Sequence, residues 1–341
     1  MNRSNLSFFS AFFFYFSVFG SAACNAAQAA AELERLNVVY SSISGASIST
    51  WVPKEAGLYK KHGLDVNLIY VAGSQAIATL ISGDAQVVQG SGAAAILSRL
   101  AGSEVKIIGN VINVIPMSLV TTPDITGPQD LKGKTFGVSR FSSLTDLGLR
   151  KAISEWGLDP AKDIRMIQTG GVPENLLFMQ QGVIKGALLS SPTLEKAKEM
   201  GFKEMLNLAN INYRYPGTAL VATDGFIKNH SQTLNRFLKA TLEGIKFAKT
   251  NSDFTVRILG KYTRTPDTKL LESAFRTYVL GYIRDVPTVA QVRSKPLWKR
   301  SLPEIPRQKA RTQRRSIILP PWISSPTKAS SSSFIPAERR A

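Results

Sequence analysis

Two serine-rich corners carry the residues best suited to chemistry: "VVYSSISGAS" from Val38 to Ser47 and "VSRFSSLT" from Val138 to Thr145. Each turns a β-type run directly into a helix-like pattern. The first N–H groups of a helix lack internal partners, and the helix dipole favours negative charge there. Serine hydroxyls add donors with little bulk, and glycines let a ligand approach the backbone. The candidate set is Ser41, Ser42, Ser44, Gly73, Ser74, Ser91 and Gly92 in the first half. In the second half it is Arg140, Ser142, Ser143, Gly170, Gly171, Ser190 and Ser191. Arg140 can supply a bidentate contact to a carboxylate or sulfonate. Any single serine is explained by helix capping alone. The repetition at matching corners of both halves favours binding of a small organic anion. Trp51, just past the first corner, either stacks on an organic ligand or packs in the core. Tyr213, Arg214 and Tyr215 form either a cleft rim or an exposed loop.

Other chemistry has little support. The chain has two histidines, His62 and His230, and one cysteine, Cys24. His62 falls at a helix C-terminus, where a cation suits the dipole, and His230 stands beside a cap position. No Gly-x-Ser-x-Gly elbow, His-Glu-x-x-His pair or phosphate loop occurs. Glu195 and Glu199 share a helix face but read as solvated charge. A single cysteine forms neither an intrachain disulfide nor a Cys-based zinc cluster. The expectation is a non-enzyme without cofactor or metal.

The elements that must position these corners alternate between strand and helix, which predicts an α/β protein with mainly parallel sheets. Strands are expected at 36–40, 66–71, 85–89, 105–110 and 118–122, with helices at 52–61, 74–82 and 93–101 between them. After the Pro/Gly-punctuated link "TPDITGPQDLKGK" the pattern restarts. Strands at 136–138, 164–167, 187–189 and 218–223 alternate with helices at 144–156 and 173–181. Helices at 231–250, 254–262 and 268–282 follow, with Ser231 and Thr268 where N-caps belong. "HGLDVNLIYVAGSQAIATLISGDAQVVQGSG" and "WGLDPAKDIRMIQTGGVPENLLFMQQGVIKGALLSS" share one order of strand, Gly-turn, helix, Gly and strand. That is a weak two-copy duplication and implies two similar lobes. In open α/β sheets ligands bind beyond the carboxyl ends of strands, where every corner named above lies.

The ends of the chain read differently. Arg3, the apolar run "LSFFSAFFFYFSVF" and a small-residue region with Ala27-Gln28-Ala29 form an export signal spanning residues 1–29. Lipoprotein processing at Cys24 is the weaker alternative, because the position three before it is not aliphatic. The formal charge is +18, but residues 293–341 hold twelve Lys/Arg against two Asp/Glu. This Pro-, Ser- and Arg-rich tail has no helical period. It reads as a disordered basic arm or the product of a reading-frame shift near Arg293. Its charge is therefore a poor argument for a nucleic-acid partner, which the export signal also opposes.

"WVPKEAGLYKKHGLDVNLIYVAGSQAIATLISGDAQVV", "PDITGPQDLKGKTFGVSRFSSLTDLGLRKAISEWGLDPAKDIRMIQTGG" and "FLKATLEGIKFAKTN" together resemble periplasmic substrate-binding proteins of the nitrate/sulfonate/taurine ABC-transporter group. Relatives of that group bind thiamine pyrimidine precursors. The resemblance covers residues 36–292. It implies a type II-like two-lobe periplasmic-binding-protein fold, joined by crossovers near 121–124 and 221–224. Lobe one would then hold residues 36–121 and 225–292, and lobe two 125–220. It also implies a monomer that binds a small-molecule ligand in the cleft and passes it to a membrane permease. Two alternatives share the fold: a thiamine-pyrimidine-synthase-like enzyme and a ligand-sensing module for a signalling receptor. The enzyme would use a histidine-bearing site and a cysteine-rich motif, and neither histidine falls at a polar corner here.

Overall fold

A computed structural model describes residues 32–211 and 214–288. The expected export signal, Tyr213 and the basic tail from Arg293 lie outside the described residues.

The first half opens with β1 (Glu34–Tyr40), a 3-10 turn at Gly45–Ser47, α1 (Ile48–Glu55) and α2 (Leu58–Lys61). It continues through β2 (Leu64–Tyr70), α3 (Gln75–Ile81), β3 (Val87–Gly90), α4 (Gly92–Leu100) and β4 (Val105–Ile112). The chain then crosses to a second sheet. This is built from β5 (Ser118–Thr121), β6 (Thr135–Val138), α5 (Leu144–Glu155), β7 (Arg165–Gln168), α6 (Val172–Gln180), β8 (Gly186–Leu189), α7 (Thr193–Glu199) and β9 (Lys203–Asn207). It returns as β10 (Thr218–Thr223), followed by α8 (Asp224–Asn229), α9 (Ser231–Thr250), α10 (Ser252–Thr263), α11 (Thr268–Ala274) and a π-helical segment, Phe275–Tyr282.

The two sheets share one topology. Strand order is β2-β1-β3-β10-β4 in the first and β7-β6-β8-β5-β9 in the second. In each, the first three strands run parallel, and one antiparallel strand is inserted before the last. That inserted strand is always delivered from the other half: β5 arrives from the first sheet, and β10 arrives from the second. Both are uncharged and almost wholly buried, as central strands require. The sheets thereby move the expected boundaries. Residues 118–121, expected in lobe one, pair with β8 and β9. Residues 218–220, expected in lobe two, pair with β3 and β4. The crossings lie between β4 and β5 and between β9 and β10.

Each sheet has its own apolar core. On one face of the first sheet, Leu36, Val38, Trp51, Tyr59, Phe237, Leu238 and Tyr278 pack together. On its other face α3 and α4 cover Val39, Val88 and Val221. In the second half Leu119, Phe136, Leu149, Leu176 and Leu188 form the centre. The long helix α9 explains how the C-terminal segment rejoins the first half. Leu234, Phe237, Leu238, Thr241, Ile245 and Ala248 make a buried stripe at helical spacing. Phe237 stacks on Tyr59 with ring centroids 5.4 Å apart.

Two expected caps shift by one residue. α9 begins at Ser231 with His230 before it, and His230 stacks on Phe226 at 5.0 Å. α11 is capped by Asp267, whose carboxylate accepts from the N–H groups of Lys269 and Leu270. Aspartate accepts a helix-end N–H as well as threonine does, so composition alone does not separate these neighbours. α8 and β9 have no counterpart among the expected strands and helices, whereas α7 carries the helix face expected for Glu195 and Glu199.

Candidate functional site

The serine corners converge on one cavity between the two sheets, at the carboxyl ends of β1, β3, β6 and β8. It measures about 50 Å³. Eight of the expected residues line it: Ser41, Ser42, Ser44, Gly73, Ser91, Ser143, Gly171 and Ser190. Among the described residues, eight serines, two threonines and two tyrosines contribute, and none that lines the cavity carries a formal charge.

Each wall is held by its own hydrogen bonds. In the first half the Ser47 hydroxyl donates to Ser42 O at 2.7 Å, and Ser44 Oγ accepts from the Ala46 N–H at 3.3 Å. Gln89 fixes the start of α1. Its Nε2 donates to Ala46 O at 2.7 Å and Ser49 Oγ at 2.8 Å, and its Oε1 accepts from Thr50 at 2.9 Å. In the second half Ser139, Ser143 and Thr145 form a hydroxyl triangle with sides of 2.8–3.0 Å. The Ser139 N–H also donates to Thr145 Oγ1 at 2.8 Å. The three sides of the triangle take up its three hydroxyl protons, while Thr145 Oγ1 and Ser44 Oγ also accept from backbone N–H groups; a hydroxyl of the triangle meets an acceptor in the cavity by turning out of it.

Three helices, α4, α5 and α6, open their N-terminal ends onto this space through Ser91, Ser143–Thr145 and Gly171–Val172. Their first N–H groups and dipoles give the site a positive field without a charged side chain. Two phenols complete it. Burial pushes Tyr70 up to about 12, with the nearby Glu174 carboxylate adding to the shift. Burial also holds Tyr278 well above its usual value. Both keep their protons at neutral pH. Tyr278 comes from the π-helical segment and donates to Pro116 O in the first crossing. Ser190 Oγ, close enough to influence that phenol, is buried with no hydrogen-bond partner of its own.

The lobes meet around the cavity. The Gly45 N–H donates to Ser191 O at 3.3 Å, and Ser74 Oγ donates to Phe141 O at 2.8 Å. Gly73 has φ +62°, and a Cβ there would lie 3.1 Å from the Arg140 side chain and 3.2 Å from Ser139 Oγ. Only glycine serves both the left-handed backbone and this close approach.

Seven expected residues do not line the cavity. Trp51 is fully buried, stacked on Tyr262 at 4.5 Å and edge-on to Tyr40 at 5.5 Å, so it belongs to the core. Ser74 is spent on the contact to Phe141. The Gly92 N–H donates to Pro216 O in the second crossing at 3.0 Å. Arg140 lays its stem beside Gly73 in the interface between lobes, and its buried Nε has no partner. Ser142 has φ +62° and gives its N–H to Asp146, shaping the loop rather than facing the cavity. The Gly170 N–H donates to Ser139 O. Ser191 Oγ turns away to Glu195 Oε1 at 2.5 Å. Sequence reading missed Gln89, Ser139, Thr145, Thr218, Tyr70 and Tyr278. Of these, Ser139 and Thr145 stood inside a quoted corner, whereas Tyr278 reaches the site only through the C-terminal return. Neither histidine lines the cavity; His62 faces Glu243 at 3.1 Å. No group of metal-ligating side chains occurs among the described residues.

Glu195 stands behind Ser190–Ser191. Burial raises its carboxyl above 4.5, only partly offset by the hydrogen bond from Ser191. The folded protein thus holds this proton to higher pH than the unfolded chain. The stability it contributes is full below about pH 4.5 and is lost as pH rises through the folded-state value. Glu195→Gln is expected to raise the melting temperature near pH 8 and to leave it unchanged near pH 4. A melting series across that range checks this, and equal shifts at both ends would refute it.

The comparisons agree with this geometry. The NMT1/THI5-like family profile matches residues 46–253, more than half of the chain. YtlA of Bacillus subtilis (strain 168) is 21% identical over 275 residues, covering 77% of this chain and 80% of that one. A solved structure from Bordetella bronchiseptica RB50 superposes with TM-score 0.69 at 17% identity, over 76% of this chain and 86% of that one. The alkanesulfonate-binding protein SsuA from Xanthomonas axonopodis pv. citri, bound to MOPS, superposes with TM-score 0.64 at 13% identity, over 75% and 86%. These structural likenesses establish the shared architecture, and the profile establishes kinship: the chain has the periplasmic-binding-protein fold and belongs to the NMT1/THI5-like family.

Proposed function

We propose that this protein is an exported solute-binding protein that captures a small organic anion, a sulfonate or carboxylate, between its lobes and delivers it to the permease of an ABC importer. One observation carries the reading. Among the described residues, the inter-sheet cavity is lined by hydroxyls and helix N-termini from both lobes and by no charged side chain. Such a lining suits an acceptor-rich anion held by many neutral donors, which together replace its water. Binding rather than catalysis fits the same lining, which offers neither a nucleophile–base pair nor an acid–base carboxylate. The Xanthomonas structure, with MOPS bound to an alkanesulfonate-binding protein, gives the ligand class a precedent on this fold. Contacts to both lobes, made together only when they are apposed, would drive closure as a population shift.

A thermal-shift screen of small sulfonates, carboxylates and neutral heterocycles tests this. An anion present at a hundredfold excess over its Kd should stabilise by about 2.7 kcal/mol. The double variant Ser143→Ala, Thr145→Val should lose at least tenfold in affinity for that anion while melting within a few degrees of the parent. A hit among neutral heterocycles with none among anions would overturn the ligand class.

A further inference from the structure

A second space is lined by residues of both lobes. Its volume is about 290 Å³, at the low end of small-molecule sites. The first half contributes Ile43, Leu270 and the turn after α10, and the second contributes faces of α6 and α7. The floor is apolar: Ile43, Leu176, Leu177 and Leu270. Leu177 is 48% exposed, although it lies on a helix whose neighbouring Leu176 is buried.

The rim carries two cations, Lys196 and Arg264, and among the described residues no carboxylate lines the groove. Neither cation forms an ion pair with any described residue. Asp267, the acid nearest to Arg264 in sequence, is engaged by the N-terminal N–H groups of α11. Arg264 is also conformationally unusual. It ends α10 with φ +53°, a left-handed position that glycine occupies without a Cβ penalty and asparagine offsets by local hydrogen bonding. A strained backbone that leaves a cation at the mouth of an apolar groove is the kind of outlier from which a site is inferred.

We infer that this groove binds an amphiphilic anion, a medium-chain carboxylate or sulfonate, with its hydrocarbon body on Ile43, Leu176, Leu177 and Leu270 and its head group between Lys196 and Arg264. The assignment is independent of what the hydroxyl cavity holds. The occupant touches both lobes, so it favours their apposition. By reciprocity, any ligand that closes the lobes strengthens it.

Octanoate is the probe, titrated calorimetrically into the full chain. The expected result is one-to-one binding, weakened at least tenfold in the double variant Arg264→Asn, Lys196→Gln. Asparagine accepts the left-handed backbone, so that variant should fold, which its melting temperature verifies. The variant Ser143→Ala, Thr145→Val should bind octanoate within twofold of the parent. Octanol should bind at least tenfold more weakly than octanoate. Absence of octanoate binding would overturn the inference. So would octanol binding as tightly, or octanoate affinity that falls in the Ser143/Thr145 variant. Retained octanoate affinity in the Arg264/Lys196 variant would overturn it as well.

Discussion

Replacing Trp51 by alanine should destabilise the protein by about 3–5 kcal/mol, the range for removing a buried aromatic. The indole is fully buried, packed parallel to Tyr262 at 4.5 Å and edge-on to Tyr40 at 5.5 Å. Tyr262 in turn donates from its hydroxyl to Glu55 at 2.8 Å, tying α10 to α1 through the same stack. Trp51→Phe is the informative partner. It keeps an aromatic face for Tyr262 and removes a buried indole N–H that has no acceptor. It should therefore cost less than Trp51→Ala, because the smaller ring still fills most of the space and only part of the cavity penalty remains. Chemical denaturation of both variants distinguishes a core residue from a ligand-stacking one. A cleft-mouth tryptophan would leave stability nearly unchanged and alter affinity instead.

The second large effect is expected at Gly217. Here the two crossings pass at backbone contact: a Cβ on Gly217 would run into the carbonyl oxygen of Val114. The Gly217 N–H also donates to Ile112 O at 3.0 Å, so the strand cannot simply slide away. Neither group is the end of a flexible side chain. Gly217→Ala should cost about 3 kcal/mol or more, the upper part of the range for overpacking. For a chain of this size that is a fall in melting temperature of roughly 4–6 °C. Gly225→Ala is the control. Nothing lies within 4 Å of a Cβ there, so its melting temperature should barely move. Similar melting temperatures for Gly217→Ala and the parent would show that the crossings are looser than their contact implies.

The architecture was largely legible because its signals are local. "HGLDVNLIY" and "KDIRMIQ" alternate and end in glycine turns, and the α9 stripe repeats at helical spacing. The duplication legible in the sequence reappears as an identical strand order in both sheets. The strand swap was not legible. Ser118–Thr121 and Thr218–Thr223 look like any buried strand, and which sheet receives them is decided by long-range pairing. β9 escaped notice because Lys203–Asn207 is a half-buried edge strand with a weak apolar pattern. At the site, the corners located the cavity, but side-chain direction did not follow from composition. Ser190 faces the cavity while its neighbour Ser191 bonds Glu195. Trp51 stands next to a corner and packs away from it. Tyr278 was invisible as a site residue because 162 residues of sequence separate it from Pro116, which it contacts.

The exchange of inserted strands also sets an order of assembly during synthesis. Once Asn207 has left the ribosome, every strand of the second sheet is present. The first sheet, although made earlier, still lacks the strand that joins β3 to β4, since Thr218–Thr223 has yet to emerge. The N-terminal half therefore waits with a gap at its centre while its younger counterpart can close. For the same reason the second half is one uninterrupted stretch of chain, β5 to β9, whereas the first half is two. A nascent polypeptide held just short of Thr218 would expose the edges of β3 and β4 to any passing strand, the kind of opening that chaperones and export machinery exist to shield.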